Sequence, residues 1–267
     1  MRRSSVVPTV SIIVLNFNYG HYLGEALASA LAQRPGGYHL SEVVVIDDGS
    51  TDHSHTVYAD FPEVRVVRKQ HEGFPATLTR AVGESSSEWF APLDADDAFV
   101  PHKLRTLAPY LSDPDLLVIQ HAEFVVDSEG RPFGAGTHPG GATSTLLVRT
   151  DVARDLLPVT NELFFHVPAE LGHGIRLPNP LTRYRVHDAS MTDRRNPGVF
   201  ADYMADIHTD VAERLESLSL TPPSWAGPTE LASLGPGHRE RAARLRADAR
   251  DRRQHEAMTS AHKENLR

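Results

Sequence analysis

The sequence predicts an α/β fold: a Rossmann-like, mainly parallel sheet with helices on both faces, followed by a C-terminal helical extension. Three observations predict it. Short β-branched runs alternate with helix-period segments through the first 110 residues. The early strand runs are continuously apolar, as strands buried on both faces are. Beyond residue 198 the pattern is helical only.

The elements follow in order. Val10 to Leu15 is a buried strand bounded by Asn16 and Asn18. Met1-Arg2-Arg3 ahead of it loosely imitates a signal peptide. Pro8 and Ser11 interrupt the apolar stretch, however, and no small-x-small cleavage site follows, so the buried strand is the preferred reading. His21 to Gln33 places Tyr22, Leu23, Ala26, Leu27, Ala30 and Leu31 at helical spacing, and Pro35-Gly36-Gly37 ends the helix. Val43 to Ile46 and Val64 to Val67 are the next strands. Pro75 to Val82 is a helix, and Trp89 to Leu93 is a fourth strand. Leu104, Leu107 and Leu111 mark a further helix opened by Pro101.

The second half is less regular. Ala122 to Val126 and Thr145 to Val148 read as strands, and Gly130 to Gly141, rich in Gly and Pro, as a loop between them. Val199, Phe200, Tyr203, Met204, Ile207, Val211 and Leu215 define an amphipathic helix over about 198–217. Thr221 to Pro228 reads as a linker, and Arg239 to His255 as a charged helix. The expected organisation is one domain over 1–220 and a linker with charged helix over 221–267. The domain has a first half over about 9–112 and a second over about 113–193.

Composition excludes several classes of function. The chain has 267 residues and no cysteine, which removes disulfides, thiolate catalysis and iron–sulfur clusters. No run of 18 apolar residues occurs, so a soluble, cytoplasmic protein without a membrane span is expected. The net charge of −8 leaves no global basic field for nucleic acid. Gly237 to Arg267 holds nine Lys/Arg against five Asp/Glu, so the tail is net +4 and the first 236 residues, by difference, −12. A basic tail of this kind packs on its own domain, forms a subunit contact that makes a homo-oligomer, or touches an anionic surface; the sequence leaves these open.

Two acidic turns follow strands and so fall beyond the carboxyl ends of a parallel sheet, where ligands bind. Asp94-Ala95-Asp96 pairs carboxylates at i and i+2, an oxygen set suited to Mg²⁺ or Mn²⁺. An Asp-x-Asp arises by chance about once in a chain of this composition, and Asp113-Pro114-Asp115 is read as such a match in a solvated turn. Asp47-Asp48-Gly49-Ser50 is the other turn. It either caps a helix or offers a carboxylate to a nucleobase or ribose. His187 is either a structural histidine or a ligand. No Gly-x-Gly-x-x-Gly follows the first strand, which disfavours a dinucleotide site, and no Walker loop or Gly-x-Ser-x-Gly elbow occurs.

Taken together, Val10 to Asn18, Val45-Ile46-Asp47-Asp48-Gly49-Ser50-Thr51-Asp52 and Leu93-Asp94-Ala95-Asp96-Asp97 resemble the family 2 glycosyltransferases of the GT-A fold. Thr145 to Arg149 and Asn179 to His187 extend the likeness, which covers about 9–112 well and 142–193 moderately. The resemblance implies inverting transfer of a sugar from a nucleotide-diphospho-sugar, UDP-linked by preference, to a hydroxyl or amine of a small-molecule or glycan acceptor. Leu15, Asn16 and Phe17 would line the nucleoside pocket, with Ala95 also on the donor side. Asp48 would bond the base, Asp94 would face the ribose, and Asp96, with His187, would serve a Mn²⁺ or Mg²⁺ at the diphosphate. The chain departs from the family's pattern at three places. Phe17 replaces a usual Tyr, Arg80-Ala81-Val82-Gly83 lacks an amide, and Asn161 stands where an acidic residue, the expected Asp, would serve as base. Glu162 beside it is then the candidate base, with His166 or no base as the other options and a helix-capping Asn-Glu pair as the structural one. A sugar-nucleotide nucleotidyltransferase and a catalytically impaired sugar-nucleotide-binding protein are the alternative activities.

Overall fold

The computed structural model describes residues 7–188, 190 and 197–264. The signal-like Met1-Arg2-Arg3 lies outside the described residues. The chain divides into two compact units that meet between residues 186 and 187. The division falls well before residue 220, where the sequence places it: the amphipathic helix over 198–217 groups with the charged helix instead of with the sheet.

The first unit opens with β1 (Thr9–Asn16), α1 (Gly20–Leu31), β2 (His39–Asp47), α2 (Ser54–Ala59), β3 (Arg65–Arg68), α3 (Phe74–Glu84) and β4 (Trp89–Asp94). There follow β5 (Ala98–Phe99), α4 (Lys103–Leu107), β6 (Val118–Val126), β7 (Pro132–His138), β8 (Leu146–Arg149), α5 (Thr150–Asp155), α6 (Val167–Glu170) and β9 (Gly174–Arg185). All strands join one sheet in the order β3-β2-β1-β4-β8-β6-β9-β5, with β7 paired to β6. The β3-β2-β1-β4 half is parallel, as expected. Beyond it the sheet is mixed: β8 runs antiparallel to both β4 and β6, and β9 parallel to β6.

Alternation along β1 builds the two layers. Val10, Ile12 and Val14 pack with Leu23, Ala26 and Leu27 of α1 and Leu104 and Leu107 of α4. Ile13 takes the other face, and α3, which buries Leu78, Ala81 and Val82, packs on β1 and β2. Each buried Val, Leu or Ile among them contributes about 1.5–3 kcal/mol when withdrawn from water.

Two stretches differ from the sequence expectation. Gly130 to Gly141 contains strand β7, antiparallel to β6. Its residues alternate glycine with exposed side chains, so no apolar period marks it. The twelve-residue strand β9 has no counterpart in the sequence reading. Pro178 and Pro180 argue against a strand, but the pairing register shifts between His121 and Ala122, and the prolines sit in that irregularity, where their missing N–H groups are tolerated.

The second unit holds α7 (Pro197–Leu220) and α8 (Pro228–Glu264), packed against each other. The linker expected over 221–228 is the turn between them. α8 starts eleven residues before the expected Arg239 and carries Pro236 within it. Much of the basic tail is answered by acids of α7: Arg246 pairs with Asp206 at 3.0 Å, Arg253 with Asp202 and Arg239 with Glu216. His208 and His238 bring their Nδ1 atoms within 2.8 Å. No helix among the described residues is long and apolar enough to cross a membrane.

Candidate functional site

Strand register assembles the site. Asn16 pairs with Asp47 across β1 and β2, and Leu15 with Asp94 across β1 and β4. Three strands therefore deliver Leu15-Asn16-Phe17, Asp47-Asp48 and Asp94-Ala95-Asp96 to one carboxyl edge. Asn16 is buried and ties this edge together: its Nδ2 donates to Ser50 Oγ at 3.1 Å, Ser54 Oγ at 3.1 Å and Tyr58 OH at 2.9 Å. Asn18, at φ 58°, accepts the Thr51 and Asp52 N–H groups on its Oδ1. Leu15 and Ala95 are buried, and the Ala95 N–H donates to the Leu15 carbonyl at 3.0 Å. Ala95 belongs to the apolar core. Its methyl packs in that core, and it spaces Asp94 from Asp96.

The turn after β2 divides its labour. Asp47 Oδ1 accepts the Ser50 N–H at 2.8 Å, which closes the turn. The following helix does not begin until Ser54, so neither Asp47 nor Asp48 caps it. Asp48 points elsewhere. It accepts from Lys69 Nζ, the Glu72 N–H at 3.0 Å and the Gly73 N–H at 2.9 Å, and His71 Nδ1 lies 2.8 Å from its Oδ2. Burial works to raise the Asp48 carboxyl, but the Lys69 bond and the two backbone N–H bonds outweigh it and hold the group below its usual value. Gly49, at φ +77°, is needed here: a Cβ would stand 2.9 Å from the His71 nitrogen. The His71 ring stacks on Phe17 with centroids 3.9 Å apart and planes at 15°.

The turn after β4 concentrates negative charge. Asp94 is pushed well above the carboxylate range, first by burial, then by Asp96, then by Glu162. Glu162 is thus close enough for its charge to be felt at Asp94, although 68 residues separate them. Asn161 is the N-cap of the short turn that carries Glu162: its Oδ1 accepts the Leu163 N–H at 2.9 Å. The capping reading therefore holds for Asn161. Asp97 is also raised well above its usual value, first by burial and then by Asp96 and Asp94, and accepts the Arg185 N–H at 2.9 Å. His166 is pushed down to about 4, first by burial and then by Arg176. A group that holds its proton so weakly is a poor base at neutral pH.

Several residues that support the turn carried no role in the sequence reading. Tyr19 is raised above the usual phenol value, first by burial and then by the charges of Asp96, Asp94 and Asp97. Arg185 Nε donates to the Asp96 carbonyl at 2.8 Å. Ser144 Oγ accepts the Asp94 N–H at 2.9 Å, and the Ser144 carbonyl accepts from Lys103 Nζ and Thr182 Oγ1, each at 2.8 Å. Lys103 is wholly buried with its ammonium 3.3 Å above the Phe99 ring, and desolvation drives it well below its ordinary value. These residues lie far apart in sequence; of them, Thr182 and Arg185 stood inside a quoted motif, Asn179 to His187.

Asp94 and Asp96 offer oxygen ligands two residues apart. Among the described residues, no three His, Cys, Asp or Glu side chains converge as a complete metal cage. The pair therefore fits a hard cation that takes its other ligands from phosphate or water. His187 opens the second unit, is buried, and donates its backbone N–H to Ser190 Oγ at 3.1 Å.

Comparison with known proteins bears on the family and the fold. The profile described as glycosyl transferase family 2 matches residues 11–161. An uncharacterised glycosyltransferase of Nostoc sp. is 25% identical over 214 residues, covering 68% of this chain and 66% of that one. The succinoglycan biosynthesis protein ExoO of Rhizobium meliloti is 34% identical over 104 residues, 38% of this chain and 29% of that one. The chain spans less than two thirds of the length of these relatives. Among solved structures, residues 1–349 of S. aureus TarS in complex with UDP-GlcNAc superpose with a TM-score of 0.58 at 17% identity, over 91% of this chain and 92% of that one. The mannosyltransferase PcManGT of Pyrobaculum calidifontis, in complex with GDP-Man and Mn²⁺, gives 0.53 at 15%, over 98% and 82%. These two likenesses establish a shared fold.

Proposed function

The chain belongs to glycosyl transferase family 2, and on that premise we propose that it transfers a sugar, a hexose or N-acetylhexosamine, from a nucleotide-diphospho-sugar to an acceptor hydroxyl or amine with inversion. UDP is the preferred nucleotide, Mn²⁺ or Mg²⁺ the assisting cation, and the cytoplasm the place of action. The observation that carries the proposal is the convergence, on one sheet edge, of an aromatic residue and a carboxylate (Phe17, Asp48) with the paired carboxylates of Asp94 and Asp96, to which Glu162 adds a charge felt at Asp94.

Each group has a part that its surroundings support. Phe17 stacks on the base, and Asp48, ionised and oriented by Lys69 and two backbone N–H groups, accepts a base N–H. Asn16 shapes this pocket from below. Asp94 accepts from a ribose hydroxyl, and Asp96 presents its carboxylate to the cation at the diphosphate. A divalent cation bound at the turn supplies the Lewis acidity that meets charge developing on the departing diphosphate. Mutual repulsion of the acids favours holding it, since Asp96 and Glu162 both raise Asp94. Glu162 takes the acceptor's proton as the hydroxyl or amine attacks the anomeric carbon opposite the leaving group, a role worth roughly 10²–10⁴-fold. Direct displacement needs no covalent sugar–enzyme intermediate. That the charge of Glu162 is felt at Asp94 supports a catalyst over a protein that only binds sugar nucleotides.

The test is a thermal-shift panel of UDP, GDP, ADP and CDP with Mn²⁺, paired with hydrolysis of the matching nucleotide-sugars. UDP is expected to stabilise most, and Asp96→Ala to abolish metal-dependent turnover while leaving the unliganded melting temperature near that of the wild type. Full turnover by Asp96→Ala would overturn the metal assignment.

A further inference from the structure

The side chain of His71 adopts a pose with a chemical meaning. Its ring lies face to face with Phe17, centroids 3.9 Å apart. Its Nδ1 lies 3.2 Å from the Asp48 carbonyl oxygen and 2.8 Å from Asp48 Oδ2. A planar nitrogen heterocycle stacked on Phe17, with a ring N–H turned to Asp48, is the arrangement an imide-bearing nucleobase would take at the same two residues. We propose that His71 is an intramolecular stand-in for the nucleobase, which the donor must displace, so that His71 sets donor affinity. The inference rests on the reading of Phe17 and Asp48 as the base seat.

The geometry says which partner of Asp48 yields. The Glu72 and Gly73 contacts are main-chain N–H groups of the β3–α3 connection. Lys69 has a side chain only 13% exposed and also donates to the Gln70 carbonyl at 3.1 Å. The His71 side chain is 53% exposed. Rotation about its own two torsions frees the ring without moving the backbone, which is packed closely over Gly49. Three donors then continue to orient the Asp48 carboxylate while a base N–H replaces the imidazole. A base cannot simply slide between the rings, because their separation is already that of one stacked layer. The incoming base regains both a stack and a hydrogen bond, so displacement is an exchange of like for like.

The experiment is isothermal titration of UDP in Mn²⁺ into the full chain and its variants. For His71→Ala the dissociation constant is expected to fall roughly two- to tenfold, the worth of one exposed aromatic pair. Added imidazole should then weaken UDP binding to His71→Ala, refilling the seat, while affecting the wild type little. Weaker UDP binding by His71→Ala would overturn the proposal by making His71 a wall of the pocket, and an unchanged constant would overturn it by making the ring idle. Phe17→Ala separates the two levels of inference. If adding Phe17→Ala to His71→Ala leaves UDP affinity unchanged, the base seat itself is misplaced, because no ring then gives up a stack in the free protein to mask the loss. Melting curves of each variant without nucleotide confirm that the pocket alone has changed.

Discussion

Arg185→Lys tests how the acidic turn is held. The Arg185 guanidinium is 3% exposed and serves three elements at once. Its Nε donates to the Asp96 carbonyl at 2.8 Å, its Nη1 to the Ser128 and Asp127 carbonyls at 2.9 and 3.3 Å, and its Nη2 to Glu25 of α1. It also lies 4.8 Å above the Tyr22 ring. Lysine keeps the charge, but its donors radiate from one nitrogen and cannot span this fork. About two charge-assisted bonds are lost, each worth about 1.5–3 kcal/mol. Glu25 is 45% exposed and returns partly to water, so its share is under about 1 kcal/mol. The expected destabilisation is therefore about 3 kcal/mol, seen in urea unfolding followed through the buried Trp89. Because Nε grips the backbone of Asp96, Mn²⁺-dependent UDP binding should weaken as well. A wild-type unfolding midpoint would refute the claim that the fork holds the turn. A shifted midpoint with unchanged Mn²⁺ dependence would show that it braces the sheet and not the acids.

Further predictions follow from single contacts. Glu162→Gln should reduce transfer by roughly 10²–10⁴-fold with the UDP dissociation constant unchanged; a single-turnover rate equal to the wild type would exclude Glu162 as the base. Asp48 is held below its ordinary value of 3.8, so its stabilising effect is complete above that value and is lost as pH falls through the lowered one. Asp48→Asn should accordingly melt earlier than the wild type at pH 7, with the gap closing below about pH 4; a gap constant on acidification would contradict the ion-pair account. Gly174→Ala would set a methyl 2.7 Å from Val118 Cγ1 and 2.8 Å from Ala169 Cα, so overpacking of about 1–3 kcal/mol is expected in a urea midpoint. A neutral result would mean that α6 moves away from β9 freely.

The legible parts of the molecule are those in which local pattern and burial agree. β1, β2 and β4 are continuous apolar runs, and each announces the acidic or amide residues that follow it. The site on the carboxyl edge was readable because a parallel sheet puts strand ends together whatever the loops do. β7 and β9 were not readable. Their residues are glycines, prolines and polar groups whose extended shape comes from pairing with β6 and not from any period of their own. Glu162 was named by its neighbourhood to Asn161, but only the fold brings it to Asp94 and leaves Asn161 as a cap.

By itself the sequence determined the alternation of strands and helices, the two acidic turns and their order, because these depend on periodicity and on residues adjacent in the chain. Tertiary structure alone decided which carboxylates repel one another, which partner holds Asp48, that Ala95 faces the core, and that His71 lies on Phe17. Such contacts join residues tens of positions apart. Their strength depends on distance and on exclusion of water, neither of which is written in the identity of any one residue.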